Sequence, residues 1–250
     1  MVHGQRKVRD IVVVLIAVAI AAAGIKSCVV DAYKIPTGSM SGTLLPGDYI
    51  LVNKFVYGAH TPEKFLFIPL PHFRLPKLRN VQRNDIILFS FPGEPDEVVP
   101  VERKFLVKRC VALPGDTLEI VNGNIIVNGF RSVNSFSQYL PDIAELIVPF
   151  RGMNIAVNPG SIKQWKIFIE REHHSIAGDG VHSMLDGKII STYTVERNYY
   201  FVVGDNAVDS YDSRHWGFVP QDNIIGKAAI VYWSKGDRGV RWARIGTIVR

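Results

Sequence analysis

The sequence predicts a mainly β protein: an antiparallel, barrel-like sheet body with an irregular accessory lobe, preceded by one N-terminal transmembrane helix. Three observations carry this. From Asp48 onward the apolar residues come in short runs separated by turn signals, not at helical spacing. Asn122-Gly123 sits between two strand-like runs and is a strong signal for a two-residue hairpin. Near the N-terminus, one stretch is continuously apolar over a length that approaches a bilayer crossing. At 250 residues and 47% hydrophobic content, the chain has enough core for one β-rich domain plus an anchor.

In chain order, Arg6, Lys7 and Arg9 precede the apolar run from Ile11 to Ile25, and after Lys26 the chain stays mostly apolar through Val30. A full crossing takes about 20 residues, so the span is expected to extend to about Tyr33 with the Lys26 amine snorkelling to the headgroups. The same segment also fits a cleavable signal peptide with Ala21-Ala22-Ala23 as its cleavage site. Basic residues ahead of the span predict a cytoplasmic N-terminus (1–10), an anchor (11–30) and a translocated body (31–250). Leu45-Pro46-Gly47-Asp48 and Leu113-Pro114-Gly115-Asp116 read as two type II turns, each leading into a strand, Tyr49 to Val52 and Thr117 to Val121. Further strands are expected at Asp85 to Phe91, Val101 to Leu113, Asn124 to Val127, Tyr199 to Val203 and Ile224 to Trp233. No long segment of 3.6 period stands out beyond the anchor. The proline-rich apolar stretch Phe65 to Pro76 fits a bilayer-surface or substrate-approach element, and equally a buried loop. Residues from about 131 to 196 form the accessory lobe.

The net charge of +6 is spread along the chain without a nucleic-acid-binding pattern, so the partner it suggests is an anionic membrane surface. Cys28 and Cys110 define no disulfide framework, and Cys110 reads as a small buried hydrophobe. His173-His174 and His182 lack metal-ligand spacing and read as a surface loop. No metal, cofactor or nucleotide site is expected.

Chemistry gathers at three separated stretches: Ile35 to Met40, Lys108-Arg109, and Gly204-Asp205-Asn206 leading to Ser210-Tyr211-Asp212-Ser213-Arg214. A serine hydroxyl needs a base to become a nucleophile. Gly38 before Ser39 allows close backbone approach to a carbonyl. In the run Phe105 to Val111, alternation places Leu106, Lys108 and Cys110 on one face and Val107, Arg109 and Val111 on the other. An amine between Leu106 and Cys110 loses solvation, which lowers a lysine pKa and readies it to accept a proton. A strand-edge lysine reaching solvent is the competing reading.

In order, these stretches resemble the boxes of the type I signal peptidases, membrane-anchored Ser/Lys endopeptidases. Thr37-Gly38-Ser39-Met40 with Thr43-Leu44, Gly47-Asp48, Val52 and Lys54 is similar to the nucleophile box. Arg83-Asn84-Asp85 with the Ile86 to Phe89 run resembles the Arg-Gly-Asp strand, Lys108-Arg109 with Pro114-Gly115-Asp116 the general-base box, and Gly204 to Gly217 the last box. The resemblance implies a Ser39 nucleophile, a Lys108 general base, Thr37 assisting the Ser39 amide at the oxyanion, Ser210 orienting the Lys108 amine, and an Asp212–Arg214 supporting ion pair. Tyr33, Ile35, Met40, Leu44, Leu106 and Val107 match positions that line shallow pockets for small side chains. The implied partners are exported preproteins with signal peptides and the lipid bilayer, with neither nucleic acid nor metal. The implied place is the bacterial cytoplasmic membrane, single-pass, with the catalytic domain outside.

The chain departs from the pattern at Gly42, where the family usually has proline, at Asn84 in place of glycine, and at His215 in place of tyrosine. Two rivals stand beside this reading. A self-cleaving repressor shares the Ser/Lys pair but works beside a DNA-binding domain, and a membrane-tethered β-rich binding module would carry Ser39 and Lys108 without catalysis.

Overall fold

The computed structural model describes residues 10–18, 29–58, 64–65, 68–69, 76–131 and 142–250. Among them, eight antiparallel strands make the main sheet: β1 (Val30–Lys34), β2 (Asp48–Asn53), β3 (Ile86–Ser90), β4 (Phe105–Ala112), β5 (Tyr199–Val203), β6 (Val219–Pro220), β7 (Ile224–Gly236) and β8 (Gly239–Val240). Their lateral order is β1-β2-β7-β3-β4-β5-β6, with β8 folded back on the end of β7. The long β7 pairs with β3 near its start and with β2 further on, and its pairings shift register three times, between Ile224 and Gly226, Ala228 and Ile230, and Val231 and Trp233. Each bulge adds local twist, so the sheet curls rather than lying flat.

Each expected run contains a strand, although the one expected from Val101 begins only at Phe105, and the two Pro-Gly turns close as read. Gly47 and Gly115 have φ of 85° and 84°, and the Asp48 and Asp116 amides donate back to the Leu45 and Leu113 carbonyls at 3.0 Å. In both turns the aspartate side chain also accepts the amide of the leucine, at 2.8 and 2.7 Å. An arginine then clamps each carboxylate, Arg244 on Asp48 and Arg83 on Asp116. The echo is one of turn chemistry.

Alternation along β3 divides the core. Ile86 and Leu88 pack with Ile35, Met40, Leu44, Ile50 and Val52, whereas Ile87 and Phe89 face Tyr57, Cys110, Tyr200, Val202 and Trp216. The loop carrying Ser39 is thus anchored in one core by Ile35, Met40 and Leu44. Cys110 is fully buried in the other, which pushes its thiol pKa up through desolvation, so it behaves as the small hydrophobe expected. Cys28 lies outside the described residues.

A second sheet, ordered Ile143–Ile147, Thr117–Val121, Asn124–Val127, Phe130–Arg131, stands apart from the first. Its hairpin turns at Asn122-Gly123, both with positive φ (50° and 76°), as a type I′ turn requires. Its core is continuous with the main sheet through Val111, Phe201 and Val203. A helix, Ile162–Arg171, packs on the same core and does not register in the sequence as a long 3.6-period segment. Its ten residues are too short to stand out, yet Ile162, Trp165, Phe168 and Ile169 recur at helical spacing and pack on the lobe core.

Residues 10–18 are helical, with apolar side chains exposed. Among the described residues no helix is long and apolar enough to cross a membrane, and residues 19–28 of the expected span lie outside them. The expected extension of the span to Tyr33 gives way to β1, whose Val30–Lys34 pair with Asn53 to Tyr49. Of the Phe65 to Pro76 stretch, Phe65, Ile68, Pro69 and Pro76 alone fall within the described residues, and Lys64–Phe65 pairs with Ile68–Pro69. The role expected for that stretch lies outside the described residues.

Candidate active site

Ser39 sits in a tight turn built by main-chain bonds, Ser41 N–H to the Gly38 carbonyl at 2.9 Å and Leu44 N–H to the Met40 carbonyl at 2.8 Å. Asn206 ties this turn to the last box: its amide donates to the Ser39 carbonyl at 3.0 Å and its side-chain amide to the Gly38 carbonyl at 3.1 Å. The Ser39 hydroxyl is half-buried and lies 3.4 Å from the Thr37 hydroxyl.

Lys108 is 3% exposed, in the middle of β4 opposite Ile87 of β3. Its amine donates to Ser210 Oγ at 2.9 Å, and Ser210 in turn donates to Asp212 Oδ2 at 2.7 Å. Asp212 is fully buried. Arg214 grips it with Nε on Oδ1 and Nη2 on Oδ2, both at 2.7 Å, and the Gly204 amide adds a third donor at 3.0 Å. Burial is the main cause that lowers the Lys108 pKa from its ordinary 10.5 to about 8, because the ammonium loses more hydration than the amine. Asp212 works against this and Arg214 with it. The two-point grip of Arg214 commits the Asp212 charge elsewhere, so the nearest anion does not fix a proton on Lys108.

Ser39 and Lys108 line the same two adjoining compartments. One, of about 80 Å³, is walled by Tyr33, Ile35, Met40, Leu88, Leu106 and Val107 together with Thr37. The other, of about 420 Å³, opens past Ser210. The structure therefore brings together Thr37, Ser39, Lys108, Ser210, Asp212 and Arg214, and places Tyr33, Ile35, Met40, Leu106 and Val107 on the small compartment. Leu44 is different. It is 0% exposed in the core beneath the turn and supports the pocket without lining it. Tyr33 meets Phe105 edge-on, with centroids 5.9 Å apart, at one end of the groove.

The departures from the family pattern have local causes. Gly42 has φ of 110°, a value that proline, fixed near −65°, does not adopt. Asn84 has φ of 70°, in the left-handed region that asparagine tolerates better than most residues. His215 Nδ1 accepts the Asp212 amide at 3.3 Å, which completes a capping box on the short Ser213–Trp216 helix.

Arg109, Asp205, Asn206 and Gly204 stand in the sequence motifs with no role evident from the sequence. Arg109 projects to the face opposite Lys108 and binds Asp205 through Nε at 2.7 Å and Nη2 at 2.6 Å, while its Nη1 holds the Asn84 carbonyl at 2.9 Å. Thr43 donates to the same Asp205 at 2.5 Å. This knot joins the turn of the nucleophile, β4 and the last box. A strand arginine beside the base, on the buried opposite face, was the available signal, since such a charge demands a carboxylate partner. Among the described residues no cluster could hold a metal ion; His174 is held between Asp186 and Glu196 at 2.7 and 2.8 Å.

Residues 8–233 match the family described as signal peptidase, peptidase S26. The chain is 30% identical over 253 residues to the Signal peptidase I of Aquifex aeolicus, covering 90% of this chain and 84% of that one. It is 29% identical over 253 residues to the Signal peptidase I of Buchnera aphidicola (90% and 76% covered), and 30% identical over 247 residues to that of Pseudomonas aeruginosa (90% and 73%). With residues 8–233 matched and a serine sharing a groove with a buried lysine, the chain belongs to the signal peptidase family, peptidase S26.

Proposed function

We propose that the chain performs the signal-peptide cleavage of its family through an acyl-enzyme on Ser39, with Lys108 as general base. That it is a serine peptidase which removes signal peptides follows from the family. The residue roles rest on one observation above all, a buried lysine with a lowered pKa, held by Ser210 in a groove it shares with Ser39.

In the first half-reaction Lys108 Nζ takes the Ser39 proton as Oγ bonds to the scissile carbonyl carbon. The proton then passes to the departing amine as the C–N bond breaks. Water next attacks the ester, Lys108 accepts its proton, and Ser39 is restored. No acceptor engages the Ser39 amide among the described residues, so it is available to the developing oxyanion, with the Thr37 hydroxyl beside it. Ser210 fixes the amine, and Asp212 with Arg214 fixes Ser210. An extended preprotein lies between the segment before Ser39 and β4, and the small compartment of about 80 Å³ admits only short side chains before the cut. Tyr33, Ile35, Met40, Leu106 and Val107 form its walls and Leu44 its support.

The membrane reading belongs to the same proposal: residues 1–10 cytoplasmic, 11–30 a single anchor in the bacterial cytoplasmic membrane, and 31–250 a catalytic domain on the outer side with an accessory lobe about 131–196. What supports it is the basic-then-apolar N-terminal sequence and the short distance from there to Ser39.

The test is the pH dependence of preprotein cleavage. Lys108 acts only when neutral, so below its pKa the rate falls about tenfold per pH unit. kcat/KM should therefore rise on a basic limb through about pH 8 and level above it. A rate flat from mildly acid to alkaline pH would contradict the assignment.

A further inference from the structure

The larger compartment, of about 420 Å³, meets the small one at Thr37, Ser39, Leu106 and Lys108 and extends from there past Ser210. If the residues before the cut occupy the small compartment, the chain beyond the scissile bond leaves Ser39 and Lys108 on the side of the larger one, lined by Val208, Asp209 and Tyr211 and by Phe91 and Glu94.

That space is built, not incidental. The Tyr211 hydroxyl donates to Glu94 Oε2 across it, and the Tyr211 ring lies on His215 with centroids 4.9 Å apart. The Glu94 backbone is held from the accessory lobe by Arg171, whose Nη2 meets the Glu94 carbonyl at 2.5 Å while its Nε holds the Glu97 carbonyl at 3.0 Å. Two carboxylates thus line the space, Glu94 half-buried and held by Tyr211, and Asp209 exposed. Lys104 also lines the space, and its exposed side chain pairs with Glu102 at 3.1 Å.

We propose that this compartment is the subsite for the first residues after the scissile bond, and that Glu94, positioned by Tyr211, and Asp209 make it discriminate against acidic side chains there and favour basic ones. The inference rests on the roles given to Ser39 and Lys108. It also gives the carboxylates a part in the chemistry's outcome: cleavage creates a new amino terminus in this space, which at neutral pH takes up a proton from water and becomes a cation that the rim accepts.

The experiment uses the full-length protein in detergent with three preproteins that differ only at the first residue after the cleavage site, lysine, alanine or glutamate, and a matched lysine/glutamate pair altered two residues before it. kcat/KM for lysine over glutamate after the site should be about fivefold in the parent, a size typical of partly screened charge pairs, and should shrink at high salt. In Glu94→Gln/Asp209→Asn the ratio should fall close to one. Asp209→Asn alone, at an exposed position, should lower it partway and keeps the test available if the double variant does not fold. A parent ratio near one, a ratio untouched by the substitutions, or a charge preference that appears only at the residue before the site would overturn the proposal. Cleavage of the alanine preprotein by the parent and its loss in Ser39→Ala report separately on the catalytic assignment, so the subsite can fail while that assignment stands.

Discussion

Lys108→Met is expected to cut signal-peptide cleavage by about 10⁴-fold, measured as kcat/KM on a preprotein, and Ser39→Ala by at least as much, because each removes one half of a unit that moves a single proton. The two losses should not add in the double variant. Stability should move the other way for the lysine. Burial takes the Lys108 pKa from 10.5 to about 8, and at about 1.36 kcal/mol per pH unit this amounts to about 3 kcal/mol of destabilisation carried by the folded parent. The sign follows from proton counts. Between pH 8 and 10.5 the unfolded chain holds a proton that the folded chain has released, so folding gains stability as pH rises through that window, and the full penalty is present below it. Lys108→Met removes the ionisable group altogether. Its melting temperature at pH 7 should thus lie at or above that of the parent, with the gap closing toward pH 10.5. Activity within tenfold of the parent in either single variant, or a Lys108→Met protein that unfolds readily at neutral pH, would contradict the picture of a strained, dehydrated base.

Gly204→Ala is expected to cost about 100-fold or more in kcat/KM with a smaller effect on melting. A Cβ at Gly204 would lie 2.2 Å from Ser210 Oγ, 2.7 Å from Ser210 Cβ and 2.4 Å from the carbonyl oxygen of Ser39. One of these must yield, and each holds a partner of the reaction. Moving Ser210 releases the amine of Lys108, and moving the Ser39 carbonyl also breaks its bond with Asn206. Displacements of about 1 Å at reacting groups cost rates of this order. The check is a steady-state assay beside a thermal melt; activity within about twofold of the parent would show that the contact at Gly204 does not set the geometry.

How much of this could be read from residues alone varies with the range of the interaction. The two Pro-Gly turns, the Asn122-Gly123 hairpin and the strands were legible because their signals are local: a proline that presets φ, glycines and an asparagine at positive φ, and apolar runs of strand length. Lys108 was legible as a desolvated amine because alternation in β4 already placed it between Leu106 and Cys110. The Arg109–Asp205–Thr43 knot was not, since its members stand far apart in the chain and nothing local pairs them. The Ile162–Arg171 helix was missed for a different reason: ten residues give too few turns for a period to show against the surrounding strands. Leu44 marks the limit of carrying a pocket over from a pattern, because the same apolar residue type serves as a wall or as support, and only the packing under the turn decides which.

The doubly held carboxylate of Asp212 has one more effect. Around the base, Asp212 with Arg214 and Asp205 with Arg109 are two complete pairs of opposite charge, both largely shielded from solvent, and above about pH 8 the lysine near them is uncharged. The inner site is thus close to electroneutral and gives dissolved ions little to act on, so the basic limb of the rate should keep its place as salt is added. The rim outside it, with Glu94, Asp209 and Lys104, is open to solvent and to its ions. One groove therefore sets a shielded, charge-paired interior against a rim exposed to salt.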